Sequence, residues 1–229
     1  GSDAMTVSRN PGLIETIDRV FTFGERGKGF YDRLFPSIEP KWIVAGNPRL
    51  ELAKFNPVLR ESGRRSDTIG IPCRFSGINQ CEGYPVFRTL DNPDSEWEIV
   101  HQARSYAALV RMVDRVLSDT DLRISLRPHP TENPASYRYL KRRNPDRIEV
   151  DTTYDFSTWC AGLRAVVGPS TTSILEAYVL RVPAINIEAM AGVGGTYSAS
   201  SKIFADLVTS QSSSYVPKTL DELIDLLRS

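Results

Sequence analysis

RAVVGPSTTSILEAYVLRVPAINI, Arg164–Ile187, runs through a strand, a turn, a helix and a second strand without a break. Arg164–Val167 and Ala184–Ile187 are apolar almost throughout, the pattern of strands covered on both faces. Gly168 and Pro169 turn the chain, and Ser170, Thr171, Thr172 and Ser173 supply a cap and first turn of a helix. A buried strand that returns through a helix to another buried strand is the building unit of a parallel sheet with right-handed crossovers.

The same alternation extends outward. Arg19–Phe23, Lys41–Ala45, Asp67–Ile71, Leu122–Leu126 and Arg147–Val150 are short, β-branched apolar runs and read as strands. Asn47 before Pro48 is a helix start, and Ser95 with Glu98 forms a capping box that opens a long helix to about Ser118. Val100, Ala103, Ala107, Val110, Val113 and Leu117 step by three and four, which predicts the buried stripe of that helix. Thr219 with Glu222 is a second capping box, starting the C-terminal helix. The fold class expected is α/β, with a doubly wound, mainly parallel Rossmann-like sheet.

The polar stretch Arg60–Asp67 marks a boundary. Residues 67–229 then form the main domain. Residues 6–60 are the end of a preceding domain or an extension of the sheet, and residues 1–5 read as an expression scar in which Met5 can be a native start. The stretch Arg74–Asp94 has little periodicity, and loops of that length are often functional.

Composition narrows the function classes. Lys plus Arg and Asp plus Glu balance at 28 each, so bulk charge selects neither nucleic acid nor an acidic membrane. Three cysteines, Cys73, Cys81 and Cys160, lack metal-ligand spacing and fit a reducing, cytoplasmic setting. No apolar run is long enough to span a bilayer, which leaves peripheral membrane association. No Asp-x-Asp follows a strand and no His/Cys cluster occurs, so neither a metal nor another cofactor is expected.

Ligands of open α/β sheets bind beyond the carboxyl ends of the strands. Two such ends are equipped. LRISLRPHPTE, Leu122–Glu132, delivers Arg127 as a permanent cation and His129 between Pro128 and Pro130, which restrict its backbone. The Ser170–Ser173 cluster places hydroxyls and free N–H groups at the positive end of a helix dipole, an anion site for which phosphate is the usual occupant. Glu176, one to two turns in, can accept hydrogen bonds from ribose hydroxyls. Each feature alone has an ordinary structural explanation, a cap or a strand-end histidine; together they point to a phosphate-bearing ligand.

At this pair of ends the sequence resembles a known group. RPHP (Arg127–Pro130) followed by GPSTTSILEA (Gly168–Ala177) resembles the His-Pro and Ser/Thr motifs of bacterial surface-polysaccharide glycosyltransferases, among them polysialyltransferases and capsule Kdo transferases. VAGNPRLEL (Val44–Leu52) and TIGIPCRFSGINQ (Thr68–Gln80) resemble, in the same order, further segments of the wider surface carbohydrate biosynthesis family. The resemblance implies a GT-B architecture, two Rossmann-like domains with the active site between them, of which this chain holds the C-terminal, donor-binding half. It implies that His129 and Pro130 contact the donor's phosphate or cytidine, that Ser170, Thr171 and Thr172 cradle the phosphate, and that Glu176 meets the ribose. Arg127, Arg74 and Asn79 are additional contacts.

The expected function is transfer of a sugar from a CMP-activated donor, Kdo or a related ulosonic acid, to a growing surface polysaccharide, the glycan acceptor. A full N-terminal GT-B domain does not fit before Arg60, so no catalytic base is assigned; Asp91, Asp94 and Glu96 read as solvated loop carboxylates. The alternatives are a polyol-phosphate transferase of the teichoic-acid type, a UDP-sugar 2-epimerase relative, and a non-catalytic nucleotide-sugar-binding module.

Overall fold

The structure is a computed structural model that describes residues 12, 16–22, 24–36, 41–46, 48, 51, 55, 67–81, 96–169, 171–192 and 215–229. The chain divides into two compact units, Gly1–Asn56 and Pro57–Ser229. In the first, β1 (Val20–Thr22) and β2 (Trp42–Val44) pair in parallel around α1 (Glu25–Leu34), with Val20 opposite Trp42. The Trp42 ring stacks on Tyr31 at 5.0 Å and lies 6.1 Å from Phe35, which gives this βαβ unit its small core.

The second unit contains β3 (Thr68–Pro72), α2 (Glu96–Asp119), β4 (Arg123–Arg127), a 3-10 turn at Pro134–Tyr137, α3 (Arg138–Arg143), β5 (Ile148–Val150), α4 (Phe156–Ala161), β6 (Ala165–Gly168), α5 (Thr172–Val179), β7 (Ala184–Asn186), α6 (Glu188–Ala191) and α7 (Leu220–Arg228). All seven segments expected as strands are strands. The sheet order is β5-β4-β3-β6-β7 and every pairing is parallel. Counted from β3 this is the 3-2-1-4-5 order of Rossmann sheets, and the order reverses between β3 and β6.

Alternation along the strands supplies two faces. Ile69, Ile71, Ile124, Leu126, Ile148, Val167 and Ile185 face a core closed by Leu109, Met112 and Val116 of α2 and by Leu223, Ile224 and Leu227 of α7. On the other face Ser125 accepts a hydrogen bond from the Trp159 indole N–H of α4 at 2.9 Å. A Cβ on Gly70 would lie 2.2 Å from Leu163 Cδ1 and under 3 Å from the Trp159 ring, so only glycine lets α4 settle there. Helices on both faces make the sheet doubly wound.

The expected stripe of α2 is corrected. Val100, Ala103 and Ala107 are exposed, Val110 and Leu117 half-buried, and only Val113 is buried. The helix instead buries Gln102, Ser105, Ala108, Leu109, Met112, Val113 and Val116. Both sets step by three and four, but the second contains Leu109 and Met112, and longer apolar side chains remove more surface from water. The polar Gln102 and Ser105 disguised that face. Gln102 is used there: its Oε1 accepts from Gly77 N–H at 2.8 Å and its amide donates to Glu98 at 3.0 Å.

The Thr219 cap is formed, its hydroxyl accepting from Glu222 N–H at 3.2 Å, while the Glu222 carboxylate reaches back to Lys218 N–H at 2.7 Å. Asn47 and Ser95, the caps expected for two other helices, lie outside the described residues.

Candidate functional site

The carboxyl ends of β4, β3 and β6 lie side by side, with the switch point between β3 and β6. Strands lie about 4.8 Å apart, so the ends of β4 and β6 are separated by roughly 10 Å. At the β6 end Gly168 passes close to β3: a Cβ there would meet Pro72 Cγ at 3.2 Å and Cδ at 3.3 Å. The chain then enters α5 through Thr171, whose extended backbone (φ −133°, ψ 163°) is that of a cap, with its carbonyl accepting from Ile174 N–H at 3.1 Å. Its side chain makes no cap bond. Thr171 is only 5% exposed, and its Oγ1 is buried without a hydrogen-bond partner among the described residues. Buried hydroxyls are normally paired, because leaving one unpaired costs about 1–3 kcal/mol. Thr172, the first residue of α5, is exposed; Ser170 lies outside the described residues.

At the β4 end His129 is exposed. Its Nδ1 lies 3.3 Å from the Thr131 N–H that points at it and 2.7 Å from the Thr131 hydroxyl. An Nδ1 that accepts from a backbone N–H carries no proton, so the ring proton is assigned to Nε2. Thr131 thus fixes both the ring and its tautomer, and leaves an Nε2–H donor on the solvent side. Pro130 is exposed beside it.

The loop after β3 is tied to the loop after β4. Cys81 N–H donates to Thr131 O at 2.9 Å and Asn133 N–H to Asn79 O at 3.1 Å, and Gln80 bridges Glu132. The Asn79 side chain is used in this clamp, donating to Asn133 O at 3.1 Å and accepting from the Ser136 hydroxyl at 2.7 Å. Asn79, an expected donor contact, thus also ties the two loops together. Glu132, passed over in the sequence, lies at the clamp's centre: Oε1 accepts from Phe75 N–H at 2.7 Å and from His129 N–H at 3.4 Å, and Oε2 accepts from the Tyr137 hydroxyl. Below it the Cys73 thiol is raised well above its ordinary range, first by burial and then by the Glu132 charge.

Two other expected contacts turn inward. Arg127 donates to Asp151 at 2.6 Å and to Thr153 at 3.2 Å, and its guanidinium lies 5.2 Å from the Trp159 ring centroid and 5.8 Å from that of Phe156. It holds α4 against β4 and β5 rather than standing open to a phosphate. Glu176 is buried on α5. Burial raises the Cys160 thiol, and the Glu176 charge adds to that shift. Arg74 is exposed just beyond β3. Its charge reaches the other histidine, His101 of α2, whose imidazole is lowered from its ordinary range by burial, opposed by Glu188 and helped by Arg74. Thr171, Thr172, His129 and Arg74 thus follow the carboxyl ends of β6, β4 and β3, while the side chains of Arg127 and Asn79 bond to neighbouring elements and Glu176 is buried. Among the described residues, no group of three His, Cys, Asp or Glu side chains can hold a metal ion, and no helix is long and apolar enough to cross a membrane.

Solved structures share this architecture. The chain is similar to the UDP-GlcNAc 2-epimerase of Methanocaldococcus jannaschii, in complex with UDP-GlcNAc and UDP, at a TM-score of 0.54 and 15% identity over 92% of this chain and 53% of that one. It is also similar to a variant of the wall teichoic acid polymerase TagF soaked with CDPG, at a TM-score of 0.50 and 12% identity over 93% of this chain and 48% of the other. The fold is Rossmann-like and of the GT-B type. The chain spans about half the length of each of these two proteins. No protein-family model matches the sequence, and no curated protein matches it.

Proposed function

We propose that this chain is the donor-binding, C-terminal half of a GT-B transferase that takes a nucleotide-activated sugar and serves the building of a surface polysaccharide. The observation that carries the reading is the unpartnered, buried Thr171 Oγ1 at the start of α5. A hydroxyl, the free N–H groups of a first turn and the positive end of the helix dipole converge at the switch point, and a phosphate oxygen satisfies all three. His129, with its donor at Nε2, faces the same end of the sheet and supplies a second hydrogen bond to the nucleotide. Exposed Arg74 adds positive charge there. In the reaction these groups hold the donor's phosphate and stabilise the negative charge that grows on it as the sugar–phosphate bond breaks and an acceptor hydroxyl attacks.

The resemblance of RPHP and GPSTTSILEA to surface-polysaccharide enzymes favours a CMP-linked ulosonic acid as donor. A UDP- or CDP-linked donor, used by an epimerase relative or a polyol-phosphate transferase, is the second reading. The likeness to the epimerase and TagF folds favours it. Thermal melts with CMP, UDP and CDP-glycerol separate the two. A nucleotide at ~100 times its dissociation constant adds roughly 2.7 kcal/mol, a rise of about 5–10 °C for a domain of this size. A rise with CMP supports the first reading, and a rise with UDP or CDP-glycerol alone supports the second. No rise with any of them contradicts both.

A further inference from the structure

Glu132 is 2% exposed, and among the described residues no cation pairs with it. A lone buried carboxylate is costly, so its retention calls for donors that compensate the charge. Three converge from three segments: Phe75 N–H from the loop after β3, His129 N–H from the loop after β4, and the Tyr137 hydroxyl from the 3-10 turn. A carboxylate suits this junction because both its oxygens accept and neither donates. A glutamine would offer the two N–H groups only a neutral oxygen and turn its amide N–H toward the Tyr137 oxygen, so the charge-assisted bonds that hold the loops would weaken. Further links between the two loops lie around it, at Asn79–Asn133, Asn79–Ser136, Gln80–Glu132 and Cys81–Thr131.

The consequence reaches the site surface. His129 is anchored through its own backbone N–H to Glu132 and through its ring to Thr131, the neighbour of Glu132. We propose that Glu132 is the positioning residue of the nucleotide site. It fixes the height and direction of His129 against the carboxyl end of β3, and so the place where the Nε2 donor meets the ligand. This role rests on the reading of His129 as a nucleotide ligand. Glu132 itself touches no ligand; it acts only through the loop it holds.

A double-mutant cycle with a spectroscopic companion tests the role. E132Q, H129A and the double variant are titrated with CMP and with UDP, and long-range proton–nitrogen spectra report the two nitrogens of His129. E132Q is expected to weaken the bound nucleotide roughly ten-fold, while H129A in the E132Q background adds less than about two-fold, because the histidine has already lost its position. The spectra should show a single Nε2–H tautomer in the parent and an averaged ring in E132Q. Tyr137→Phe, which removes one donor and keeps the carboxylate and both N–H bonds, serves if E132Q does not fold; it should give a smaller loss, about three-fold, with the same coupling to H129A. Losses that multiply, with an unchanged His129 spectrum, overturn the positioning role while leaving the nucleotide reading intact. A parent that binds neither nucleotide overturns both.

Discussion

His129 stands just beyond the carboxyl end of β4, exposed, and among the described residues only Thr131 bonds its ring, so little of the fold depends on the imidazole. Substitution by alanine should cost the fold less than about 1 kcal/mol. Losing a charge-assisted hydrogen bond to a phosphate costs on the order of 1.5–3 kcal/mol, which is roughly 10- to 150-fold in affinity. His129→Ala should therefore weaken nucleotide binding far more than it lowers the melting temperature, and calorimetric titration beside a thermal melt reads both. A lower melting temperature with unchanged binding would make the ring a structural group. The sequence exposed His129 because proline flanks a scarce residue type. It did not expose Glu132, whose partners are two backbone N–H groups and a phenol, and backbone donors leave no mark in a sequence.

At the scale of elements, Arg127 shows how a strand-end cation can be misread. From the sequence it is an additional donor contact beside His129. In the fold it alternates to the opposite side of β4 from Leu126, where it meets Asp151 and lies near the rings of Phe156 and Trp159. Its side chain is 12% exposed, and that of Asp151 20%. Arg127→Met keeps the apolar stem but leaves the Asp151 carboxylate unpaired, at a cost of about 2 kcal/mol once residual solvent access is allowed for. Nucleotide affinity should stay within about two-fold of the parent. A ten-fold loss of affinity with unchanged stability would return Arg127 to the site. The strands were legible because strands covered on both faces are apolar almost throughout, and β3, β6 and β7 are buried at every position. The rotation of α2 was not legible. Two stripes one residue apart satisfy the same spacing, and Gln102, tied to Gly77, made the buried one look polar. The inward turn of Glu176 was hidden for a related reason: its burial comes from the packing of α5 against elements distant in sequence.

Across the whole molecule, the site follows from the order in which the strands are laid down. Laying β4 and β5 on one side of β3 and β6 and β7 on the other puts the switch point, where ligands of open α/β sheets bind, at the carboxyl end between β3 and β6. Gly168 allows β6 to pass Pro72 there, and α5 then begins with Thr171 buried at its start. The central claim is that this start holds a phosphate, and Thr171→Val isolates it. Valine keeps the shape and the extended backbone while replacing the unpartnered hydroxyl with a methyl group. A side chain that merely capped the helix would cost about 1 kcal/mol when so replaced. A hydroxyl kept for a ligand costs nothing to lose from the free protein, and its removal relieves an unpaired buried group. The measurement is a parallel denaturation and nucleotide titration of the parent and Thr171→Val. The prediction is equal or higher stability, by up to about 1–2 kcal/mol, with nucleotide affinity lower by roughly ten-fold. Lower stability with unchanged affinity would contradict it.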